Sequence, residues 1–286
     1  MSLYNIVAPA SLVAGQPEDV GQVLANFQAI QAVLNGGIDD ANIRSTAAIT
    51  ISKLAGYPSD KAQVPLGDGT WGQRTTPPTR TILTGSGNYT PPALCKAIIV
   101  ECIGAGGGGG GAPSAAAGAQ SAGGGGGGGG YAMKLFTPAG GPYAYSVGVG
   151  GAGVSNANGQ SGGNTTFGSV TAGGGSGGGQ TGPSAAPGNV AGGIGSGGAG
   201  SGGDLNITGD GGEFGYLYIN YPVGGRGGFA ARGGAGGLPN LTNGADGNPG
   251  YFPGGGGSGG ANSSNIATWR TGGSGNNGTI VVWEFY

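Results

Sequence analysis

The stretch from Glu101 to Phe136 constrains the fold more than any other part of the sequence. Its apolar ends flank 27 residues, 104–130, that are mostly glycine. Glycine loses more backbone freedom on folding than any other residue. The tract is therefore either a flexible linker or a segment in which no larger residue fits.

Glycine is concentrated in the second part of the chain. Of the 77 glycines, 8 precede Thr81 and 69 follow in the remaining 206 residues, whereas half of the charged residues precede it. This change predicts a domain boundary near Thr81. Runs such as Gly123–Gly130 break the three-residue period of collagen. A flexible linker stays an alternative, but the region is poor in charge and contains aromatic clusters, which disfavours disorder.

A polyglycine II bundle would give the glycines an ordered role. This extended helix has three residues per turn and forms no internal hydrogen bonds. Its N–H and C=O groups can bond to neighbouring helices if no Cβ keeps the backbones apart, and glycine can take the angles needed in either strand direction. Each lateral hydrogen bond stabilises the bundle by about 0.5–1.5 kcal/mol. This only balances the backbone entropy that is lost on folding, which costs about 1–2 kcal/mol per residue. We therefore expect a flanking β-sheet to anchor the bundle.

Strand signals appear after Pro78. Six stretches are rich in β-branched and aromatic residues and predict strands: 79–83, 96–103, 131–136, 143–149, 165–171 and 279–286. The glycine-rich residues 172–278 between the last two are too many for a structureless loop in a compact domain. The predicted fold class is mostly β: a small β-sandwich carries a polyglycine II helix bundle over residues 81–286.

One short helix is predicted over residues 17–37. Pro17 suits a first turn, and Gly36 suits a helix end. Its apolar residues follow the 3, 4, 3, 4 spacing of a coiled coil and are the predicted oligomerisation residues Val20, Val23, Phe27, Ile30 and Leu34. The alternative is an ordinary amphipathic helix packed on its own domain. Residues 38–80 predict a turn-rich connector, and residues 1–16 an attachment arm that folds on binding.

Composition argues against several partners. The net charge is −2 with no basic run, so binding to nucleic acid is not expected. The longest apolar run, 97–100, is too short for membrane insertion, and the N-terminus does not resemble a secretory leader. Cys95 and Cys102 are an odd number of residues apart, so on one strand they face opposite sides, and we expect two buried thiols rather than a disulfide.

Enzyme chemistry is not expected, because the chain has no histidine and therefore no Ser-His-Asp or Cys-His arrangement. The GxGxxG match at 148–153 is expected by chance in such a composition, and no cofactor is predicted. Asp204, Asp210 and Glu213 fall near one another in sequence. Their spacing fits no calcium motif, so solvated turn residues are favoured and no metal site is assigned.

Three segments resemble a known family. "GSGNYTPPALCKAIIVECIGAGGGGGG", "YAMKLFTPAGGPYAYSVGVGGAG" and the final "GGSGNNGTIVVWEFY" resemble the glycine-rich domain at the ends of bacteriophage tail fibres and minor tail proteins. "IDDANIRSTAAITISKLAG" and "PLGDGTWGQ" look like the connectors of such fibres. The resemblance implies a homotrimeric tail fibre or tail-tip adhesin in the virion tail. The N-terminus would bind other tail or baseplate proteins, and the distal loops would bind a host surface protein or polysaccharide.

The receptor hypothesis depends on aromatic residues in predicted loops, because aromatic side chains with a polar atom are enriched at binding hot spots. The alternatives are that these residues cover the sides of the bundle, join a trimer core, or, in "YLYIN", form a strand. A purely architectural virion component, such as a head fibre or decoration protein, is the alternative function. The candidate receptor-binding residues, with three nearby arginines, are Phe214, Tyr216, Tyr218, Tyr221, Arg226, Arg232, Tyr251, Phe252, Trp269 and Arg270.

Overall fold

The structure is a computed structural model of the chain. It describes residues 20–36, 63–65, 71–73 and 77–286, apart from 138, 186–191, 220, 233, 240, 242–243 and 264–266. The chain divides into two compact units, Met1–Arg74 and Thr75–Tyr286.

The N-terminal unit contains helix α1 (Val20–Gly36) and an antiparallel pair of short strands, β1 (Gln63–Pro65) and β2 (Trp71–Gln73). The apolar residues Val20, Phe27 and Ile30 are exposed on α1, so self-association through them stays a prediction. The side chain of Leu34, the arm 1–16 and most of the connector lie outside the described residues. No helix among the described residues is long and apolar enough to cross a membrane.

In the C-terminal unit, a strand forms within each of the six predicted stretches. Its described strands are β3 (Thr79–Leu83), β4 (Ser86–Tyr89), β5 (Ala97–Ile103), β6 (Ser121–Ala122), β7 (Tyr131–Phe136), β8 (Tyr143–Ser146), β9 (Thr165–Phe167), β10 (Val170–Ala172), β11 (Gly200–Ser201), β12 (Leu205–Ile207), β13 (Tyr216–Leu217), β14 (Pro222–Val223), β15 (Ala261–Asn262) and β16 (Thr279–Phe285). The predicted stretch 165–171 is two strands, because Gly168 turns the chain with φ 54°.

Two five-stranded antiparallel sheets form the β-sandwich. Their strand orders are β12-β7-β5-β16-β3 and β11-β10-β9-β8-β4. The long strands β5 and β16 alternate between buried and half-buried residues along their full length, as expected when one face of a sheet is covered. The predicted mostly β class with a small sandwich is thus confirmed.

The sandwich core is apolar and lies between the inner faces of the sheets. Ile98, Val100, Ile280 and Val282 from the first sheet pack in one cluster with Phe167 from the second. Phe167 is also 5.7 Å from the ring of Tyr89 and 5.1 Å from that of Tyr143. This core fixes the ends of most glycine-rich segments, because the strands of the sandwich continue into them.

Glu284 is a carboxylate buried at the edge of this core. It accepts hydrogen bonds from the hydroxyls of Tyr89 and Tyr286, at 2.8 Å each, and of Thr81, at 3.2 Å. Burial and the bond to Glu284 raise the pKa of Tyr89 well above its usual value. On the opposite face of the sheet, burial and the bond to Glu101 raise the pKa of Tyr131 to about 12.

We expect these two tyrosines to make the protein sensitive to alkali. The unfolded chain loses each phenolic proton near pH ~10, whereas the folded chain keeps it to a higher pH. The contribution of these tyrosines to stability is therefore constant below that pH and falls as the pH rises further, by about 1.4 kcal/mol per pH unit for each protected tyrosine. The buried Cys102 thiol, whose pKa is also raised, adds a fall of the same kind above pH ~8.5. Urea unfolding between pH 8 and 12 measures this slope, and Tyr131→Phe should reduce it; an unchanged slope in that variant would contradict the assignment.

The two cysteines differ in exposure. Cys102 is fully buried, and burial raises the pKa of its thiol to about 12. Cys95 is only half-buried, contrary to the expectation of two buried thiols, because it precedes β5 instead of lying on it. We expect a thiol reagent near neutral pH to label one cysteine in the native protein and both in denaturant, because only the thiolate reacts. Two rapid reactions in the native protein would contradict this packing.

The glycine-rich segments form a bundle with the hydrogen-bond period of polyglycine II. In the central segment 123–130, the N–H groups of every third residue point to the same neighbour. Residues 123, 126 and 129 donate to segment 254–260, residues 124, 127 and 130 to segment 173–179, and residues 125 and 128 to segment 209–213. A repeat of three residues per turn matches the polyglycine II helix.

The carbonyls of the same segment bond to three further neighbours. They accept from segments 104–110, 192–198 and 225–231, again at every third residue. Segment 123–130 is therefore surrounded by six others, as in hexagonal packing, and each of its backbone N–H and C=O groups has a partner. Buried backbone N–H and C=O groups need hydrogen-bond partners, and this segment provides them without forming a β-sheet.

Close approach of the backbones explains the glycines. A Cβ on Gly106, Gly125 or Gly128 would overlap a carbonyl oxygen, that of Gly255, Arg226 or Phe229 respectively, and the hydrogen at that position can make a Cα–H···O contact. No glycine in 104–111 or 123–130 has φ in the left-handed region. The lack of a side chain is thus what these positions require, and conformational freedom, which we also predicted to matter, is not used.

The extended segments run alternately away from the sandwich and back towards it. Those described are 104–112, 123–130, 148–154, 157–163, 173–179, 192–198, 209–213, 224–231, 234–239, 247–250, 254–260 and 271–278. The first of each consecutive pair leaves the sandwich, and the second returns. An eight-residue segment spans about 25 Å at the polyglycine II rise, so the loops that join each pair lie far from the sheets.

Candidate receptor-binding tip

The loops at the far end of the bundle form the candidate site. We call this end the tip and define it as the described residues of the loops 113–121, 155–156, 180–191, 214–223, 240–246 and 261–270. The opposite end, where segments enter the sheets, is the sandwich end. The backbone hydrogen bonds from Gly123 to Gly260 and from Gly124 to Gly179 fix these loops to the central segment.

A β-hairpin at the tip presents several aromatic side chains. Strand β13 pairs with β14, and Tyr218 N–H donates to the Tyr221 carbonyl at 3.0 Å. The rings of Tyr218 and Tyr221 stack with centroids 5.2 Å apart, and that of Tyr216 lies 6.4 Å from Tyr218. We call Tyr216, Tyr218, Ile219 and Tyr221 the tyrosine ledge. In the described part of the chain, the three ledge hydroxyls have no hydrogen-bond partner.

Side chains alternate between the inner and outer sides of the hairpin, and this places the ledge on the outer side. Leu217 and Pro222 point inward and are buried, and Leu217 packs on Ala122 of β6. Their strand neighbours therefore point outward, and the ledge side chains are 41–78% exposed. Sequence reasoning identified the three tyrosines but missed Ile219, the most exposed of the four, although it belongs to the same "YLYIN" segment.

A second aromatic position lies on another tip loop. Trp269 is exposed, and its neighbour Arg270 exchanges two backbone hydrogen bonds of 2.9 Å with Ala112. The buried Asn262 holds this loop by donating to the carbonyls of Pro113 and Thr268, at 2.9 and 2.7 Å. Trp269 is thus presented by a loop that is bonded to the first bundle segment.

The tip also contains a shallow cleft of about 450 Å³. It is lined by Ser114, Ala115, Ala116, Ala119, Pro183 and Ala267. Small side chains of this kind carry no hydrophobic periodicity or motif, so nothing in the sequence pointed to the cleft.

The remaining candidate residues lie elsewhere. Arg226 is on the side of the bundle, where its guanidinium lies 4.3 Å from the ring centroid of Phe229, three residues later. Arg232, Tyr251 and Phe252 lie at the sandwich end. Arg232 contacts Glu101 and Tyr131, and Tyr251 and Phe252 form the connection into segment 254–260. The structure therefore brings Phe214, Tyr216, Tyr218, Tyr221, Trp269 and Arg270 to the tip and separates the other four from them.

The acidic residues considered for calcium do not converge. Asp204 instead accepts a hydrogen bond from the Leu135 N–H at 2.9 Å at the edge of the first sheet. Asp210 and Glu213 are exposed residues of segment 209–213. Within the described residues, no three His, Cys, Asp or Glu side chains are placed to hold a metal ion.

Comparison with known proteins assigns the C-terminal unit. The family model described as "Glycine-rich domain" matches residues 81–283, which include all the described bundle segments and both sheets except for the outermost residues of β3 and β16. A comparison with curated proteins gave no match.

Proposed function

The chain belongs to the glycine-rich domain family, and we propose that it is a structural protein of a bacteriophage virion, a short tail fibre or tail-tip adhesin that recognises the host surface. The tyrosine ledge, at the end of a bundle whose central segment 123–130 is fully hydrogen-bonded, carries this proposal. Binding residues are commonly found on loops held by a rigid scaffold.

The bundle suits this role because it holds its loops firmly. The central segment 123–130 is bonded to six neighbouring segments by backbone hydrogen bonds of 2.8–2.9 Å, so the tip loops begin and end at fixed points. A pre-ordered binding surface loses little entropy on binding. Exposed tyrosines add large apolar contact areas with hydroxyl groups that can bond to a partner.

The opposite end of the chain would join the fibre to the particle. In this proposal residues 1–16 bind other tail or baseplate proteins, and α1 associates with copies of itself through Val20, Val23, Phe27, Ile30 and Leu34 to form a trimer. The exposed apolar residues of α1 support self-association, since a single helix of this length needs a partner surface to be stable. The ligand of the tip would be a host surface protein or polysaccharide.

Competition for adsorption tests the proposal. Purified full-length protein, added to host cells before the virus, should occupy the receptor and reduce the rate of virus adsorption in proportion to its concentration. An unrelated glycine-rich protein at equal concentration is the control. If saturating protein leaves adsorption unchanged, the chain is not the adhesin, and the architectural role without receptor binding is favoured instead.

A further inference from the structure

The outer face of the first sheet is a second apolar surface, far from the tip. Directly paired residues of neighbouring strands point to the same face of a sheet, so the strand register identifies the side chains on this outer face. One row contains Ile82, Val281, Glu101, Met133 and Leu205, and the next contains Arg80, Trp283, Ile99 and Leu135. We call these two rows the outer face. Ile82, Leu135 and Leu205 are exposed by 55%, 48% and 41%.

The carboxylate of the outer face is already paired within the chain. Glu101 accepts hydrogen bonds from the Trp283 indole N–H and from the Tyr131 hydroxyl, each at 2.8 Å, and Arg232 lies 3.7 Å from it. The polar atoms of these rings thus need no water. Polar groups lose their water when another protein covers a surface, so they must already be hydrogen-bonded if none is to be left unsatisfied.

Phe252 lies beside this face and supports the presence of a partner independently. It connects two bundle segments next to Ile103 of β5, where a Cβ on Gly254 would be 2.9 Å from the Ile103 side chain. Phe252 has φ 59° and is 69% exposed. A bulky residue in the left-handed region is unfavourable, and within one chain this conformation places an apolar ring in water. Contact with a partner would compensate for both.

The size of the outer face indicates what the partner is. Five strands about 4.8 Å apart, with seven residues in the longest, cover about 400 Å². An independent stable complex buries about 800 Å² per partner. The outer face is therefore too small to hold a separate protein alone, but sufficient for a partner that is already tethered, because tethering raises the effective concentration. Helix α1, with its exposed Val20 and Phe27, supplies such a tether to copies of the same chain.

We propose that the outer face and Phe252 form a contact with a second copy of this chain. The inference rests on the self-association included in the proposed function, but not on receptor binding. It assigns Phe252 to assembly instead of to the host surface. The sandwiches would then pack together at the end of the bundle opposite the tip and leave every tip free.

Sedimentation velocity of the full-length chain over a dilution series tests this contact. The test variant is Ile82→Lys/Leu135→Lys, at two exposed positions where lysine should not disturb the core. The matched control is Ile194→Lys/Leu238→Lys, at bundle positions that are 46% and 52% exposed. Protection of the Cys102 thiol reports that each variant is folded.

The test variant should dissociate at concentrations at least about tenfold higher than wild type, the minimum expected when apolar interface residues are lost. The control should dissociate like wild type. If wild type is an oligomer and the test variant matches it, the outer face is not the contact. A monomeric wild type would overturn the contact altogether. Neither result affects receptor binding, which the adsorption competition decides separately.

Discussion

Replacing Gly128 with alanine is expected to destabilise the C-terminal unit by about 3 kcal/mol or more. The new Cβ would overlap the Phe229 carbonyl. The segment cannot simply shift away, because Gly128 donates to the Asp210 carbonyl and accepts from the Gly198 N–H, each at 2.9 Å. Relief of the overlap on one side therefore stretches hydrogen bonds on the others.

Gly193→Ala is the matched control for this substitution. Gly193 also lies in a bundle segment, but nothing is within 4 Å of its Cβ position, and its φ is outside the left-handed region. Alanine there should be neutral or should stabilise by about 0.4–1 kcal/mol, because it restricts the unfolded chain. Urea unfolding followed by circular dichroism measures both variants. Equal effects at the two positions would show that packing between backbones does not determine the glycine content.

The sandwich could be predicted because its strands have ordinary signals. Residues 96–103 and 279–286 are β-branched and apolar, and they became the paired strands β5 and β16. The bundle could be predicted from a physical requirement: more than one hundred glycine-rich residues had to leave a sheet and return to it. Strands with weak signals, such as β4 (Ser86–Tyr89) and β12 (Leu205–Ile207), were not predicted, because pairing with a neighbour creates them more than their own composition does.

The grouping of the candidate residues could not be predicted in the same way. Tyr216 and Tyr251 look alike in the sequence, yet they lie at opposite ends of the bundle. The end of the bundle at which a loop residue lies depends on whether the segment before it leaves the sandwich or returns to it. One chain reversal that is missed in the sequence therefore assigns the following loops to the wrong end. Partners are also remote in sequence, such as Gly125 and Glu213. In a run of identical glycines, a shift of one three-residue turn leaves every lateral bond possible, so only the anchored ends fix the register.

Replacing Tyr216 and Tyr218 together with alanine is expected to abolish adsorption competition by the purified protein. Each ring supplies exposed contact area at the centre of the tyrosine ledge, and each hot-spot residue contributes about 2 kcal/mol or more to binding. The double variant should therefore bind at least several hundredfold more weakly. Its stability should change little, because both side chains are about half exposed and the buried Leu217 and Pro222 still hold the hairpin.

Phe229→Ala is the control for the ledge substitutions, since Phe229 is also an exposed aromatic residue but lies on the side of the bundle. It should compete like wild type. The variant Tyr216→Phe/Tyr218→Phe separates the rings from their hydroxyls: retained competition assigns the binding energy to apolar stacking, and lost competition assigns it to hydrogen bonds with the receptor. If the folded alanine variant still competes at the wild-type concentration, the receptor does not bind the ledge. Phe214 and Trp269 would then be the residues to replace, because they are the other exposed aromatic side chains among the described residues at that end.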